Sequence, residues 1–166
     1  ARRQAEQVKK FLTDVLAAPD PTKDGRQVRV IDLLARAEKR AATELTNQPL
    51  VLAEIQSTLG VTYYQLSLYP KAEPLLRSAL ALYERELGPA AVKTALVRVN
   101  LGALLHWASR TEESIAELRQ AVVVLRGHQP EARFELASGL SELGSILGVA
   151  GQHDEARRLL RAYLSR

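Results

Sequence analysis

Three glycines, Gly60, Gly102 and Gly144, stand 42 residues apart, and each follows a leucine: Leu59, Leu101 and Leu143. A register this strict constrains the chain more than any other feature. It requires that one structural unit be built three times and stacked on itself. Further columns keep the same phase. Twelve residues past each glycine stand Ala72, Ser114 and Ala156, and sixteen past stand Leu76, Leu118 and Leu160. Between the two apolar series lie the polar stretches "SLYPK", "SRTEES" and "GQHDE", so each unit reads as helix, tight turn and helix. Pro70 suits a first helical turn, and Ser109 or Thr111, and then Asp154, are the expected N-caps.

A glycine inside a helix costs about 1 kcal/mol relative to alanine, so its recurrence needs a reason. Two antiparallel helices approach closely only where side chains are small. Gly60 is therefore expected to face Ala72 or Ala79 at the crossing point, with Leu59, Tyr63, Leu76 and Leu80 filling the space around it. Composition fits this scheme: the chain is 46% hydrophobic with two Phe and one Trp, a core of Leu, Ala and Val. The expected fold is all-α, a solenoid of antiparallel helix pairs.

Carrying the phase backwards places Leu34 and Ala37 in the columns of Leu76 and Ala79. Residues 27–45 then form the second helix of a degenerate leading pair whose first helix spans 3–17, with the turn-forming "APDPTKDG" between them. Eight helices follow, in one continuous domain: a leading pair over 1–50, repeats over 51–92 and 93–134, and a third repeat over 135–166 with a terminal capping helix. Gly88 and Pro89 mark the break between repeats, Gly as a C-cap and Pro as a residue that cannot continue the helix. At Tyr163 the small column of Ala37, Ala79 and Ala121 turns large, which predicts the end of the array. Leu159, Leu160 and Leu164 nevertheless leave the last helix apolar, so a homodimer through that seam is one expectation.

The columns Leu59, Gly60, Tyr63, Ala72, Leu76 and Ala79, with their counterparts from Leu101 to Ala121 and from Leu143 to Leu160, resemble the tetratricopeptide repeat. The usual unit is about 34 residues; the longer unit here resembles the class found in kinesin light chains and many bacterial signalling proteins. The resemblance implies a right-handed superhelix that binds a protein or peptide. The leading half, "AEQVKKFLTDVLAAPDP" followed by "VIDLLARAEKRAATELTNQPLVLAEIQSTLG", is also similar to the region C-terminal to the kinase domain and membrane segment of bacterial serine/threonine protein kinases. That likeness implies the sensing or docking part of a larger signalling protein, on either the cytoplasmic or the extracytoplasmic side. Related stretches occur in bacterial transcription regulators.

Several classes are read as absent. The apolar runs are far shorter than the roughly 20 residues of a membrane span, so this segment is expected to make no membrane contact, although a parent protein could be membrane-anchored. There is no cysteine, hence no disulfide framework and no thiolate metal site. The missing initiator methionine suggests a domain cut from a longer protein. The formal charge of +4 is spread over mixed helix surfaces, and the basic spots near the ends lack interleaved aromatics, which argues against nucleic acid. His106, His128 and His153 fall in different units without metal-ligand spacing, and "GVAG" at 148–151 reads as a helix-ending turn. No catalytic, cofactor or metal residue is assigned, and the chain is expected to be no enzyme.

In such a solenoid the first helices line the concave face, which points to Glu54, Ser57, Thr58, Val61, Tyr64 and Gln65, then Val99, Asn100, Ala103, His106 and Trp107, then Ser141, Glu142 and Ser145. The basic cluster by which some tetratricopeptide domains grip a C-terminal carboxylate is missing, since its places hold Ser57, Val61, Asn100, Ser138 and Glu142, with only Asn100 matching. Asn100 is the strongest member, because an asparagine inside a helix is unfavourable unless its amide is used. Tyr64 and Trp107 fit either the groove or a core between neighbouring first helices, and Asn100 fits either a ligand or a neighbouring helix.

Overall fold

The computed structural model describes residues 2–16 and 29–164, which form eight α-helices and no strand: α1 (Arg2–Leu16), α2 (Val30–Glu44), α3 (Pro49–Gln65), α4 (Tyr69–Leu87), α5 (Val92–Trp107), α6 (Thr111–Gly127), α7 (Arg133–Val149) and α8 (His153–Leu164). From α3 onward each first helix pairs with its successor, and each pair stacks on the next through α4 against α5 and α6 against α7. α1 packs across both α2 and α3, pinned by the Gln4 side-chain amide donating to the Leu50 carbonyl at 2.9 Å and by the buried Phe11 ring beneath the Arg40 guanidinium. The "APDPTKDG" loop lies outside the described residues, as do the side chains of Tyr163 and Leu164.

The core follows the repeat columns. Leu59, Leu101 and Leu143, Ala72 and Ser114, and Leu76 and Leu118 are all buried, as are Tyr63, Leu80, Ala37, Ala79 and Ala121. Burial of this row is the main stabilising term, at about 25 cal/mol for each Å² of apolar surface removed from water. Leu160 departs from its column: it is 45% exposed, while Leu159 packs against the second half of the core.

Of the neighbours expected for the repeated glycine, Ala72 and Leu76 are found against Gly60, with the leucine the closer. A methyl group on Gly60 would lie 2.8 Å from Leu76 Cγ, and on Gly102 2.6 Å from Leu118 Cγ. The gap is filled chiefly by the leucine sixteen residues on, while at Gly60 the expected Ala72 also approaches, its backbone carbonyl 3.3 Å from that methyl. Gly102 adds a polar tie, since the buried Ser114 hydroxyl donates to its carbonyl at 2.7 Å. Around Gly144 there is open space, in keeping with the outward Leu160.

The turns also differ from expectation. None of α2 to α7 has a side-chain N-cap bond, α6 takes Arg110 as its N-cap residue, and α8 already begins at His153, which puts Asp154 in its first turn. The turn is instead set from the preceding helix by a left-handed residue, again 42 apart: Ser67 (φ 59°), Ser109 (φ 62°) and Gly151 (φ 76°). Each time its N–H donates three residues back and the next N–H donates five back, as in Ser67 to Tyr64 and Leu68 to Tyr63. This is a Schellman closure, for which glycine is the unstrained residue. Ser67 and Ser109 are exposed, so replacing each by Gly is expected to stabilise by about 0.5–1 kcal/mol. The double variant should melt about 2–8 °C higher; an unchanged or lower Tm would show that the serines carry a role the turn geometry does not explain.

Candidate functional site

The first helices α3, α5 and α7 lie side by side, with α5 touching the other two. Because Trp107 is the last residue of α5, just before the left-handed turn, its side chain stands clear of the core and is 62% exposed. The same register position holds Gln65 and Val149, which are exposed too. On α3, Tyr64 rests against Tyr69 of α4, with ring centroids 6.0 Å apart. The Trp107 indole N–H stands beside the Tyr64 hydroxyl, and Glu142 of α7 is close enough for its charge to act on the same phenol. His106 meets Trp107 edge to face at 5.8 Å, its Nδ1 buried without a hydrogen-bond partner. Tyr69, Tyr64, Trp107 and His106 thus form an aromatic strip across two repeats, with a carboxylate on the third. Burial pushes the Tyr64 phenol above its ordinary pKa, the Glu142 charge adds to this, and the indole N–H partly opposes it.

The remaining predicted residues divide. Asn100 is half-buried, and its amide makes no hydrogen bond among the described residues. Ser57 is half-buried; Thr58, Gln65, Ser141, Glu142 and Ser145 are exposed. Val61 packs partly against the core. Val99 and Ala103 are buried and unavailable to a ligand, because α5 is enclosed by neighbours on both sides and Val99 abuts Gly139 of α7. Glu54 is committed elsewhere. It accepts from the Tyr83 hydroxyl at 3.0 Å and pairs with Lys93. Burial, reinforced by the Glu54 charge, holds the Tyr83 phenol far above the usual tyrosine range. Glu54 lines a separate cleft of ≈ 870 Å³ under α1, with Val8, Leu12, Leu50 and Leu87. Tyr69 was not foreseen. It begins a second helix, where the concave-face rule does not look, and only its place five residues after Tyr64, across a tight turn, could have pointed to it.

Charged side chains tie one repeat to the next. Arg77 reaches Glu113 at 3.8 Å and Arg119 reaches Glu155 at 2.7 Å, the same pair one repeat on. Arg110 bonds Glu73 at 2.7 Å and Glu113 at 2.5 Å. The Arg98 guanidinium is 12% exposed and joins Glu84 of α4 to Glu117 of α6. Among the described residues no group of three or more His, Asp and Glu converges as a metal site would require, and no helix is long and apolar enough to cross a membrane.

Stacked helix hairpins with a continuous first-helix face define an α-solenoid of the kind that generally mediates protein–protein interaction. Residues 51–126 match the family model described as the tetratricopeptide repeat. Two solved structures share the fold. BtubC (BKLC) from P. vanneervenii aligns with a TM-score of 0.70 at 16% identity over 99% of this chain and 74% of its own. A mutant of MamA aligns with a TM-score of 0.53 at 19% identity over 98% of this chain and 96% of its own. Among the curated proteins no sequence matches.

Proposed function

We propose that the chain is a non-catalytic binding module that holds an extended protein or peptide segment on the face formed by α3, α5 and α7. The observation that carries this reading is the exposed Trp107, flanked by Tyr64 and His106 on the middle repeat. An aromatic that the core does not use is a costly surface feature, and tryptophan and tyrosine dominate the binding energy of protein interfaces. Asn100 lies seven residues from Trp107 on the same helix, about 10 Å along its axis. Its unpaired amide offers donors and an acceptor matched to one peptide unit. The likeness of the leading half to bacterial kinase sequences supports placing the module as the docking part of a larger signalling protein.

The test is peptide selection on the immobilised protein followed by calorimetric titration. Asn100→Ala is expected to weaken binding by about 1–3 kcal/mol and Trp107→Ala by about 2 kcal/mol or more, each with little change in Tm. A large fall in melting temperature with unchanged affinity would return these residues to the scaffold. A second reading rests on Val149 and Leu160, which the terminal repeat leaves 73% and 45% exposed: two copies meet there. A clean monomer in sedimentation at about 100 µM, where contacts of roughly 6 kcal/mol would register, would remove that reading.

A further inference from the structure

Helix α1 does not close fully on the repeats. Between it and α3, α4 and α5 lies the cleft of ≈ 870 Å³, within the roughly 300–1,000 Å³ of most small-molecule sites. Its apolar wall is made by Val8 and Leu12 of α1, Leu50 of α3 and Leu87, which stays 43% exposed at the end of α4. Two polar side chains of the same wall are unengaged. Lys9 and Thr13 stand one turn apart on α1, both line the cleft, and neither side chain bonds another described residue. Thr43, Thr58 and Thr62, by contrast, donate to the carbonyl four residues back. Across the cleft the charge is already balanced: Glu54, the one carboxylate in the described lining, pairs with Lys93 and accepts from the Tyr83 hydroxyl. We propose that this cleft binds an apolar monocarboxylate of small-lipid size, its chain laid along Val8, Leu12, Leu50 and Leu87 and its carboxylate held by Lys9 and Thr13.

Charge selects that occupant. An anionic head finds a free ammonium and a free hydroxyl, whereas a cationic head finds Glu54 already neutralised and Lys9 as a like charge. Side chains at i and i+4 share one helix face, so Lys9 and Thr13 can reach the same carboxylate, and hydrogen bonds to an ionised acceptor are about twice as strong as neutral ones. The head alone would bind weakly, because Lys9 is exposed and solvent screens it. The chain supplies the affinity. Each methylene buried is worth about 0.8 kcal/mol, or about 3- to 4-fold in Kd. A ligand seated there touches α1, α3, α4 and α5 together, so it ties the leading pair to the first full repeat and should raise Tm with concentration.

The intact chain is titrated by calorimetry with hexanoate, octanoate and decanoate below their micelle concentrations, and with decanol and decyltrimethylammonium as controls. One-site binding is expected that tightens about 3- to 4-fold per added methylene, is about 10-fold weaker for decanol and is lost for the ammonium. Lys9→Gln should weaken decanoate about 5- to 10-fold and leave decanol unchanged. Ala5→Trp, which fills the cleft from an exposed position on α1, should abolish both, and Trp107→Ala should change neither. Because the indole could disturb α1 itself, the unaltered chain gives a second reading: trypsin cleavage after Lys9, followed by mass spectrometry, should slow several-fold when decanoate is bound. Equal affinity for all three head groups, or decanoate binding indifferent to Lys9→Gln, overturns the carboxylate assignment. No saturable binding, binding that survives Ala5→Trp, or unchanged cleavage after Lys9 overturns the site.

Discussion

Replacing Leu118 by alanine is expected to destabilise the protein by about 3–5 kcal/mol, and replacing Gly102 by alanine in that background is expected to give part of this back. Leu118 is fully buried on α6, and a buried Leu→Ala change loses transfer energy and leaves a cavity whose cost depends on how far the site collapses. In the native chain a methyl on Gly102 would sit 2.6 Å from Leu118 Cγ. Gly102→Ala alone should therefore overpack the helix pair and cost about 1–3 kcal/mol, even after the gain in helix propensity. With Leu118 cut back the same methyl enters vacated space, and coupling between the two sites should exceed about 1 kcal/mol. The third repeat supplies the control: with nothing within 4 Å of its missing Cβ, Gly144→Ala should stabilise by about 0.5–1 kcal/mol. Urea denaturation of the four proteins and the control gives each value. Equal costs for Gly102→Ala in both backgrounds would refute the account of the glycine column.

Arg98→Ala is expected to cost about 2–4 kcal/mol. Arg98 is nearly buried between two carboxylates from different helices, bonding Glu117 at 2.5 Å and pairing with Glu84. Removing it abandons two negative charges side by side, and the loss of one partner from a buried ion network is more costly than the network is stabilising. The upper part of the range is discounted because Glu84 is 36% exposed and solvent screens it. Arg98→Lys should recover only part of the loss, since a single ammonium cannot reproduce the two-pronged contact. Adding Glu84→Gln and Glu117→Gln to Arg98→Ala should recover more. Because stability in a stacked array is the sum of unit and neighbour terms, uncoupling α4 from α6 should also broaden the transition. A sharp, unshifted melt for Arg98→Ala would show that the bridge contributes nothing.

The repeated columns of leucine, glycine and small residues by themselves determined the helix-turn-helix unit, its stacking and most of the core, because burial at helical spacing is a local property that each repeat states again. Gly88 as the C-cap of α4 was legible for the same reason: it is the one residue there that takes φ 88° without strain. Several matters were left to tertiary structure. Which atom fills the glycine gap depends on how two helices cross, so Leu76 and Leu118 rather than Ala79 became the partners, and Gly144 lost its partner when Leu160 turned outward. The turn caps went to left-handed Ser67 and Ser109 because closure from the preceding helix satisfies the carbonyls that a side-chain cap does not reach. At the site, periodicity marked the first-helix face, but which residues open to solvent rests on what encloses each helix. α5 is covered on both sides, which sealed Val99 and Ala103 and left Trp107, at its very end, exposed. The meeting of Tyr69, Tyr64, Trp107 and Glu142 joins residues up to 78 positions apart. No spacing rule brings such residues together; only the stacking of three helix pairs does.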